Sequence, residues 1–349
     1  QSGLSVVYSE LLNYRDNEIY FYPDHGLAGK RFGEILSLFG DDTAIGIYTA
    51  NGRAQLNPPM DTPLQPGDQL IVIARDNTRI LAGAEPAAAA QETLIRTDAL
   101  PPRQPDRTLF LGWNWRLPIV IENLDRYVLP GSEAVIMTNH GAVEETLDGL
   151  RERVKNHSLH LLRGDITDRA TLEKLDLGQY QHVIVMSYSD THTQQQADAA
   201  TMIALLHLRD IADQRGYTFS LTSEMLDDRN RKLAMVTRVD DFVVSDRLVS
   251  MMMAQVAENR AVNLVFEDLL NPEGSEIYLR PACAYVETGK KVNVATLVEA
   301  ARRRGEVAVG YRLSAHVRDP ERYYGVVINP AKDAEVVLND QDRVIVLGM

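Results

Sequence analysis

The chain has 349 residues, 45% apolar and 24% charged, which is the composition of an ordinary soluble globular protein with room for two or three domains. Its formal net charge of −13 argues against nucleic acid or an anionic membrane surface as the main partner, because both would repel it. A single cysteine excludes an internal disulfide and a multi-cysteine metal site, and no apolar run approaches the roughly 20 residues that span a bilayer.

The first 81 residues indicate a small α+β unit. A short helix ends near residue 13, a strand follows over 18–22, and a second helix covers 31–39. The turn residues Pro66 and Gly67 then lead into a β-rich run over 68–74. We expect this unit to be a separate small lobe.

Residues 82–106 have the composition of a linker. Four consecutive alanines occupy positions 87–90, prolines stand at 101, 102 and 105, and no apolar periodicity is sustained. Such a segment buries little surface and usually connects domains. The sequence therefore predicts a linker between the small unit and a larger part.

Residues 107–245 alternate between short apolar strands and helices. The strands are predicted at 108–112, 133–138, 159–162, 182–186, 217–222 and 242–245. The helices between them are predicted at 118–128, 144–155, 171–175 and 194–214. This alternation predicts a parallel sheet covered on both faces, that is, a Rossmann-like lobe.

Two helices over 246–271 lead into a second small unit at 272–349. Its predicted elements are a strand at 276–279, a helix at 295–304 and a closing strand at 342–348. The cluster of methionines at 251–253 in the first of these helices is typical of a core or a subunit interface.

The two small units repeat one another. At a constant offset of 258, seven residues recur: Leu11, Leu12, Asn13, Glu18, Ile19, Tyr20 and Pro23 match Leu269, Leu270, Asn271, Glu276, Ile277, Tyr278 and Pro281. The pair Asn57-Pro58 recurs as Asn329-Pro330, and the two closing strands also agree. Three matches in the same order predict a duplicated unit with a longer insertion in the second copy.

The order of small unit, linker, Rossmann-like lobe and small unit resembles tandem regulator-of-potassium-conductance (RCK) domains. The motifs resemble the CASTOR/POLLUX family, which has plant and bacterial members: GWN at 112–114, DFVVS at 241–245, LVSM at 248–251, VAE at 256–258, EIYLRP at 276–281 and GYRL at 310–313. The resemblance implies a C-lobe of a first RCK domain at 1–81 and a complete second RCK domain at 107–349. In that second domain the N-lobe covers 107–245, the crossover helices 246–271 and the C-lobe 272–349.

The resemblance also implies a function. It implies the cytosolic gating-ring module of a cation channel, assembled as a tetramer on the cytoplasmic face of a membrane. The pore would be a transmembrane segment upstream in the same polypeptide, and calcium would be the effector. None of these expectations follows from composition or periodicity.

One candidate ligand is an NAD-type nucleotide. In dinucleotide-binding folds a glycine-rich turn after the first strand approaches the pyrophosphate at a helix N-terminus. Here Gly112 is the only glycine of that pattern, with Asn114 and Arg116 beside it, and the second strand ends at Thr138 where an acid would hold a ribose. These departures weaken the nucleotide interpretation. The alternative is that Gly112 only makes a tight turn.

The other candidate is a divalent cation, because Ca²⁺ prefers several oxygen ligands and the ends of parallel strands meet in one crevice. Acidic residues follow three strand ends: Asp165, Asp190, and Glu224 with Asp227 and Asp228. Asp165 and Glu224 hold the places that acids occupy in related calcium-gated RCK channels. A purely structural alternative is that Asp165 and Asp168 cap the following helix.

Catalysis has little support in the sequence. It contains no G-x-S-x-G elbow and no H-E-x-x-H motif, and the eight histidines are scattered. We therefore expect a non-enzymatic gating module. Two alternatives stay open: a nucleotide-binding regulatory subunit of a potassium transport system, and a Rossmann-fold oxidoreductase.

Overall fold

The structure is a computed structural model, and it describes residues 3–12, 17–23, 25–100, 102–230, 241–271, 274–317 and 319–348. The chain forms two compact units. The first combines residues 3–100 with 250–349, and the second spans 101–249. None of the helices within the described residues combines the length and hydropathy needed to cross a membrane.

The first small lobe contains a four-stranded antiparallel sheet. Its elements are α1 (Leu4–Leu11), β1 (Glu18–Pro23), α2 (Phe32–Ile35), β2 (Thr43–Tyr48), β3 (Ala54–Leu56) and β4 (Gln69–Ala74), with strand order β1-β4-β2-β3. Helix α2 is shorter than the predicted 31–39. It ends early because Phe39 turns to bridge Ala82 and the carbonyl of Leu38 accepts the N–H of Gly83 instead of a helical one.

The second unit contains a six-stranded parallel sheet. Its elements are β5 (Arg107–Leu111), α3 (Leu117–Asp125), β6 (Ser132–Thr138), α4 (Glu144–Arg153), β7 (His157–Arg163), α5 (Arg169–Glu173), β8 (His182–Val185), α6 (Gln194–Arg215), β9 (Ser220–Met225) and β10 (Asp241–Val244). The strand order β7-β6-β5-β8-β9-β10 is that of dinucleotide-binding folds. The predicted Rossmann-like lobe is thereby confirmed.

Strand β9 lies three residues later than predicted. It runs to Met225 because β10 pairs with its last four residues, with Val243 opposite Glu224. Glu224 is therefore part of the strand, with only 7% of the residue exposed, and the expectation that it follows the strand was wrong.

The second small lobe repeats the first. After the crossover helices α7 (Ser245–Glu258) and α8 (Val262–Leu270), it comprises β11 (Glu276–Pro281), β12 (Lys291–Asn293), α9 (Val294–Arg302), β13 (Val307–Arg312), β14 (Val326–Ile328), β15 (Glu335–Val337) and β16 (Arg343–Gly348). The main sheet has the order β11-β16-β13-β14, equivalent to β1-β4-β2-β3. The predicted duplication is confirmed.

The two lobes share even their irregularities. Each carries a bulge at the same place, where Gly46 and Gly310 approach a neighbouring strand too closely for a side chain. Each also ties two loops with one buried aspartate: the carboxylate of Asp68 accepts the N–H groups of Ala50 and Gln65, and that of Asp342 accepts those of Ser314 and Asn339.

The first part of the predicted linker, residues 82–100, forms what we call the strap. It lies in the first compact unit and hydrogen-bonds to both small lobes. Its N–H groups at Gly83 and Ala87 donate to the first lobe. In the second contact the N–H of Arg96 donates to the carbonyl of Tyr285, and the carbonyl of Leu94 accepts the N–H of Glu287. An ion pair between Arg96 and Glu287 strengthens the second contact.

Candidate functional site

The carboxyl end of the parallel sheet begins with the turn at Gly112. Its φ of +95° lies in the left-handed region, and a Cβ there would sit 2.4 Å from the carbonyl oxygen of Met186. Only glycine fits, because any side chain would clash with the backbone of the adjacent strand. Gly112 therefore serves the close packing of β5 against the residue after β8.

The buried carboxylate of Glu224 organises the next turn. It accepts hydrogen bonds from the Asn114 amide at 2.6 Å, from the Ser187 N–H at 3.2 Å and from the Arg116 guanidinium at 2.9 Å. The Asn114 amide also donates to the carbonyl of Ser187 at 2.8 Å. The structure thus joins two residues of the nucleotide hypothesis to one of the cation hypothesis.

A second carboxylate also bonds to this turn. Asp190 accepts the backbone N–H of Trp115 at 2.7 Å, and the Asn114 side-chain oxygen accepts the N–H of Arg116 at 3.0 Å. The N–H groups at the start of α3 that would meet a pyrophosphate are thus already bonded to protein oxygens. The turn is closed by its own side chains in this structure.

The remaining predicted residues have local partners. Thr138 accepts the N–H of His140 and contacts the hydroxyl of Tyr188, whose pKa is raised by burial. Asp165 binds the N–H and hydroxyl of Thr167, while Asp168 caps α5.

At the end of β9, Asp227 forms an ion pair with Arg229. Asp228 opens a 3₁₀ turn, and its side chain lies outside the described residues. Within the described part of the chain, no group of three or more His, Cys, Asp and Glu side chains has the arrangement of a metal centre.

A second polar cluster lies between the two small lobes, and sequence reasoning missed it. Lys332 is 3% exposed, and its ammonium donates to the carbonyl of Asp42 and the hydroxyl of Thr43, both at 2.9 Å. Burial lowers the pKa of Lys332 to about 8 and raises that of Asp42 to about 6. The repeated Asn-Pro pair was the available signal, since Asn329 lies in the same cluster.

Comparisons with known proteins bear on this architecture. A family model described as "Castor and Pollux, part of voltage-gated ion channel" matches residues 1–89. The ion channel CASTOR of Lotus japonicus is 30% identical over 98% of this chain and 44% of its own length. The chain is a relative of the CASTOR and POLLUX ion channels. The probable ion channel CASTOR of Oryza sativa subsp. japonica is 29% identical, over 98% of this chain and 42% of its own length.

This CASTOR/POLLUX relative thus spans less than half the length of the curated channels that it matches. Among solved structures, the human SLO3 gating ring superposes with a TM-score of 0.65 and 16% identity, covering 98% of this chain and 68% of that one. This likeness confirms the fold expected of tandem RCK domains.

Proposed function

We propose that this chain is the cytosolic regulatory module of a cation channel, and that it couples ligand binding to the gating of a pore. The observation that carries the proposal is the pair of duplicated lobes held together by equivalent hydrogen bonds, on a chain whose relatives are named ion channels. A Rossmann-type oxidoreductase has no need of such a pair. The fold shared with a gating ring gives further support.

The proposal includes the assembly. The module forms a tetrameric ring on the cytoplasmic face of a membrane, attached to a transmembrane pore of the same polypeptide. A ligand shifts such a module only through its different affinity for the closed and open arrangements. The hinge we propose is the crossover pair α7 and α8.

We further propose calcium as the effector, bound at the turn 114–116. Two carboxylates, those of Glu224 and Asp190, accept hydrogen bonds from this turn, and the carbonyl of Ser187 supplies a third oxygen within the same hydrogen-bond network. In this structure the guanidinium of Arg116 forms an ion pair with Glu224, in the place where a bound cation would contact that carboxylate. Calcium would displace Arg116, and this exchange would change the start of α3, where Arg116 is the N-cap.

A thermal-shift titration with calcium, magnesium and NAD tests the ligand. Binding to the folded state alone stabilises it by about 2.7 kcal/mol at a hundred times Kd. We expect a calcium-specific rise that is lost in Glu224→Gln and in Asp190→Asn but kept in Glu152→Gln, an exposed acid of α4. Asp165→Asn tests whether that acid contributes as well.

The other outcomes are equally informative. A rise with NAD alone would replace calcium by the nucleotide, for which Gly112, Asn114, Arg116 and Thr138 are the candidate contacts. Turnover of NADH would contradict the non-enzymatic function. No shift with any of the three would contradict ligand sensing at this turn.

A further inference from the structure

A cavity of about 720 Å³ lies inside the first compact unit, between the two small lobes and the strap. Helix α2 and the turn after it form one wall, α9 forms another, and strap residues 84–92 close the third side. Small-molecule sites in proteins measure about 300–1,000 Å³. The cavity therefore has the size for one organic molecule.

The walls combine apolar and polar side chains in similar measure. The apolar ones include Leu36, Leu38, Pro86, Ala88, Ala295 and Val298. Two acids at the cavity already have cationic partners, since Glu299 pairs with Arg302 and Arg303, and Glu92 pairs with Arg303. Neither carboxylate is free to bind a cation.

Two lysines at the cavity lack such partners. Lys30 is half-buried and forms no ion pair with any residue that the structure describes. Lys332 is buried, and its ammonium contacts only uncharged oxygens, those of Asp42 and Pro330 main chain and of the Thr43 side chain. Burial lowers the pKa of Lys332 to about 8, and it outweighs the carboxylates of Asp42 and Asp41, which favour the charged form of this ammonium without contacting it. The charge is therefore only partly compensated, and an anion in the cavity would stabilise it further.

The duplication shows that the fold does not require this buried charge. Ala295, the second residue of α9, donates its N–H to the carbonyl of Lys332, and Gly33, the second residue of α2, donates to the carbonyl of Met60. Lys332 and Met60 also stand three residues after the equivalent Asn329 and Asn57. The equivalent position thus holds Met60 in the first lobe and Lys332 in the second.

We propose that this cavity binds a small organic anion, with its apolar body against the alanine- and leucine-lined walls and its charged group between Lys30 and Lys332. The class comprises carboxylates, sulfonates and phosphate monoesters that carry a compact apolar part. Glu34 and Glu85, the remaining acids at the cavity, are exposed, and water already solvates them. The two lysines therefore make the cavity favour a negatively charged ligand.

Two dyes of nearly the same shape test the proposal on the full chain. 1-Anilinonaphthalene-8-sulfonate carries an anionic sulfonate, and N-phenyl-1-naphthylamine is its uncharged counterpart. We expect saturable binding of the sulfonate dye, one per chain, weakened about tenfold by Lys30→Gln, because a charge-assisted contact is lost. Binding of the uncharged dye should change less than twofold.

Three further variants complete the design. Lys332→Met copies the residue of the first lobe and should also weaken only the sulfonate dye. Ala88→Trp fills the cavity from the strap and should weaken both dyes. Lys290→Gln, at an exposed lysine away from the cavity, should change neither.

The proposal is overturned if Ala88→Trp leaves both dyes bound as before, or if Lys30→Gln weakens the two dyes equally. Displacement of the bound sulfonate dye by hexanoate or by phenyl phosphate supports the proposal and separates carboxylates from phosphates. Failure of both to displace it would contradict an anion site. Circular dichroism checks that Lys332→Met is folded. If it is not, Lys30→Gln alone tests the proposal.

Discussion

Asn57 and Asn329 are equivalent residues of the two small lobes, and each side-chain amide donates to a backbone carbonyl of the opposite lobe. Asn57 bonds to Gly305 at 3.0 Å, and Asn329 bonds to Asp41 at 2.9 Å. Both have a positive φ, 40° and 51°, which asparagine tolerates better than most residues. The interface between the lobes therefore has an approximate two-fold symmetry built into its backbone.

The symmetry is incomplete, and this gives a first prediction. Asn329 also accepts from the hydroxyl of Thr43 and donates to Asn17, whereas the side-chain oxygen of Asn57 has no hydrogen-bond partner among the residues that the structure describes. We expect Asn329→Ala to cost about 3 kcal/mol and Asn57→Ala about 1–2, because more buried groups lose their partners in the former. Hydrogen exchange of β4 and β16 measures both. Equal costs would contradict this ranking.

A second prediction concerns the Glu224 network. Glu224→Ala should destabilise the second unit by about 2–3 kcal/mol and Glu224→Gln by less, because Asn114, Ser187 and Arg116 lose a buried acceptor. Both tryptophans of the chain lie in this unit, so their fluorescence during urea unfolding reports on it selectively. Glu152→Gln, the exposed control, should stay within about 0.5 kcal/mol of wild type.

A third prediction is a dependence of stability on pH. Burial lowers the pKa of Lys332 from its ordinary 10.5 to about 8, so between these values the unfolded chain binds a proton that the folded chain does not. Stability should therefore rise as pH increases from about 8 towards 10, by up to about 3 kcal/mol.

Urea unfolding of wild type and Lys332→Met, followed by far-ultraviolet circular dichroism, measures the free energy of unfolding at each pH. The rise should be absent in Lys332→Met and present in the exposed control Lys290→Met. Burial also raises the pKa of Asp42 to about 6, so that carboxyl should lower stability as pH rises from about 4 to 6. Parallel curves for wild type and Lys332→Met would contradict the role of Lys332.

A fourth prediction uses the paired bulges. A Cβ at Gly46 would lie 2.5 Å from the carbonyl oxygen of Gln55, and one at Gly310 would lie 2.0 Å from that of Val327. Alanine at either position should cost about 2–4 kcal/mol, because a strand must move. Gly141→Ala, where the added carbon meets nothing, should cost less than about 0.5 kcal/mol. Thermal unfolding of the three variants compares them directly.

Much of the fold could be predicted because its signals are local. Strand and helix periods indicated the parallel sheet, and the repeated Asn57-Pro58 and Asn329-Pro330 indicated the duplication. The strap was missed because its partners are backbone groups of distant residues, which leave no mark on an alanine- and proline-rich composition. The extension of β9 to Met225 likewise depends on pairing with β10.

The candidate site was predictable only in outline. The sequence indicated acids at the strand ends, but the pairing of Glu224 with Arg116, 108 residues away, is a tertiary contact with no period or motif. Lys332 appeared as an ordinary lysine, because its burial arises only when the second lobe meets Asp42 and Thr43 of the first. Residues that the sequence assigned to separate nucleotide and cation hypotheses therefore belong to one hydrogen-bond network.

The pairing of the small lobes also has a consequence during protein synthesis. Thr43 bonds to Asn329, 286 residues later, and Asn17 bonds to the carbonyl of Ile328, 311 residues later. At ribosomal speeds the first lobe waits roughly 15–60 s for its partner. During this interval the unpaired face of the first lobe is exposed, so the second lobe of a neighbouring nascent chain can compete with the lobe of its own polypeptide.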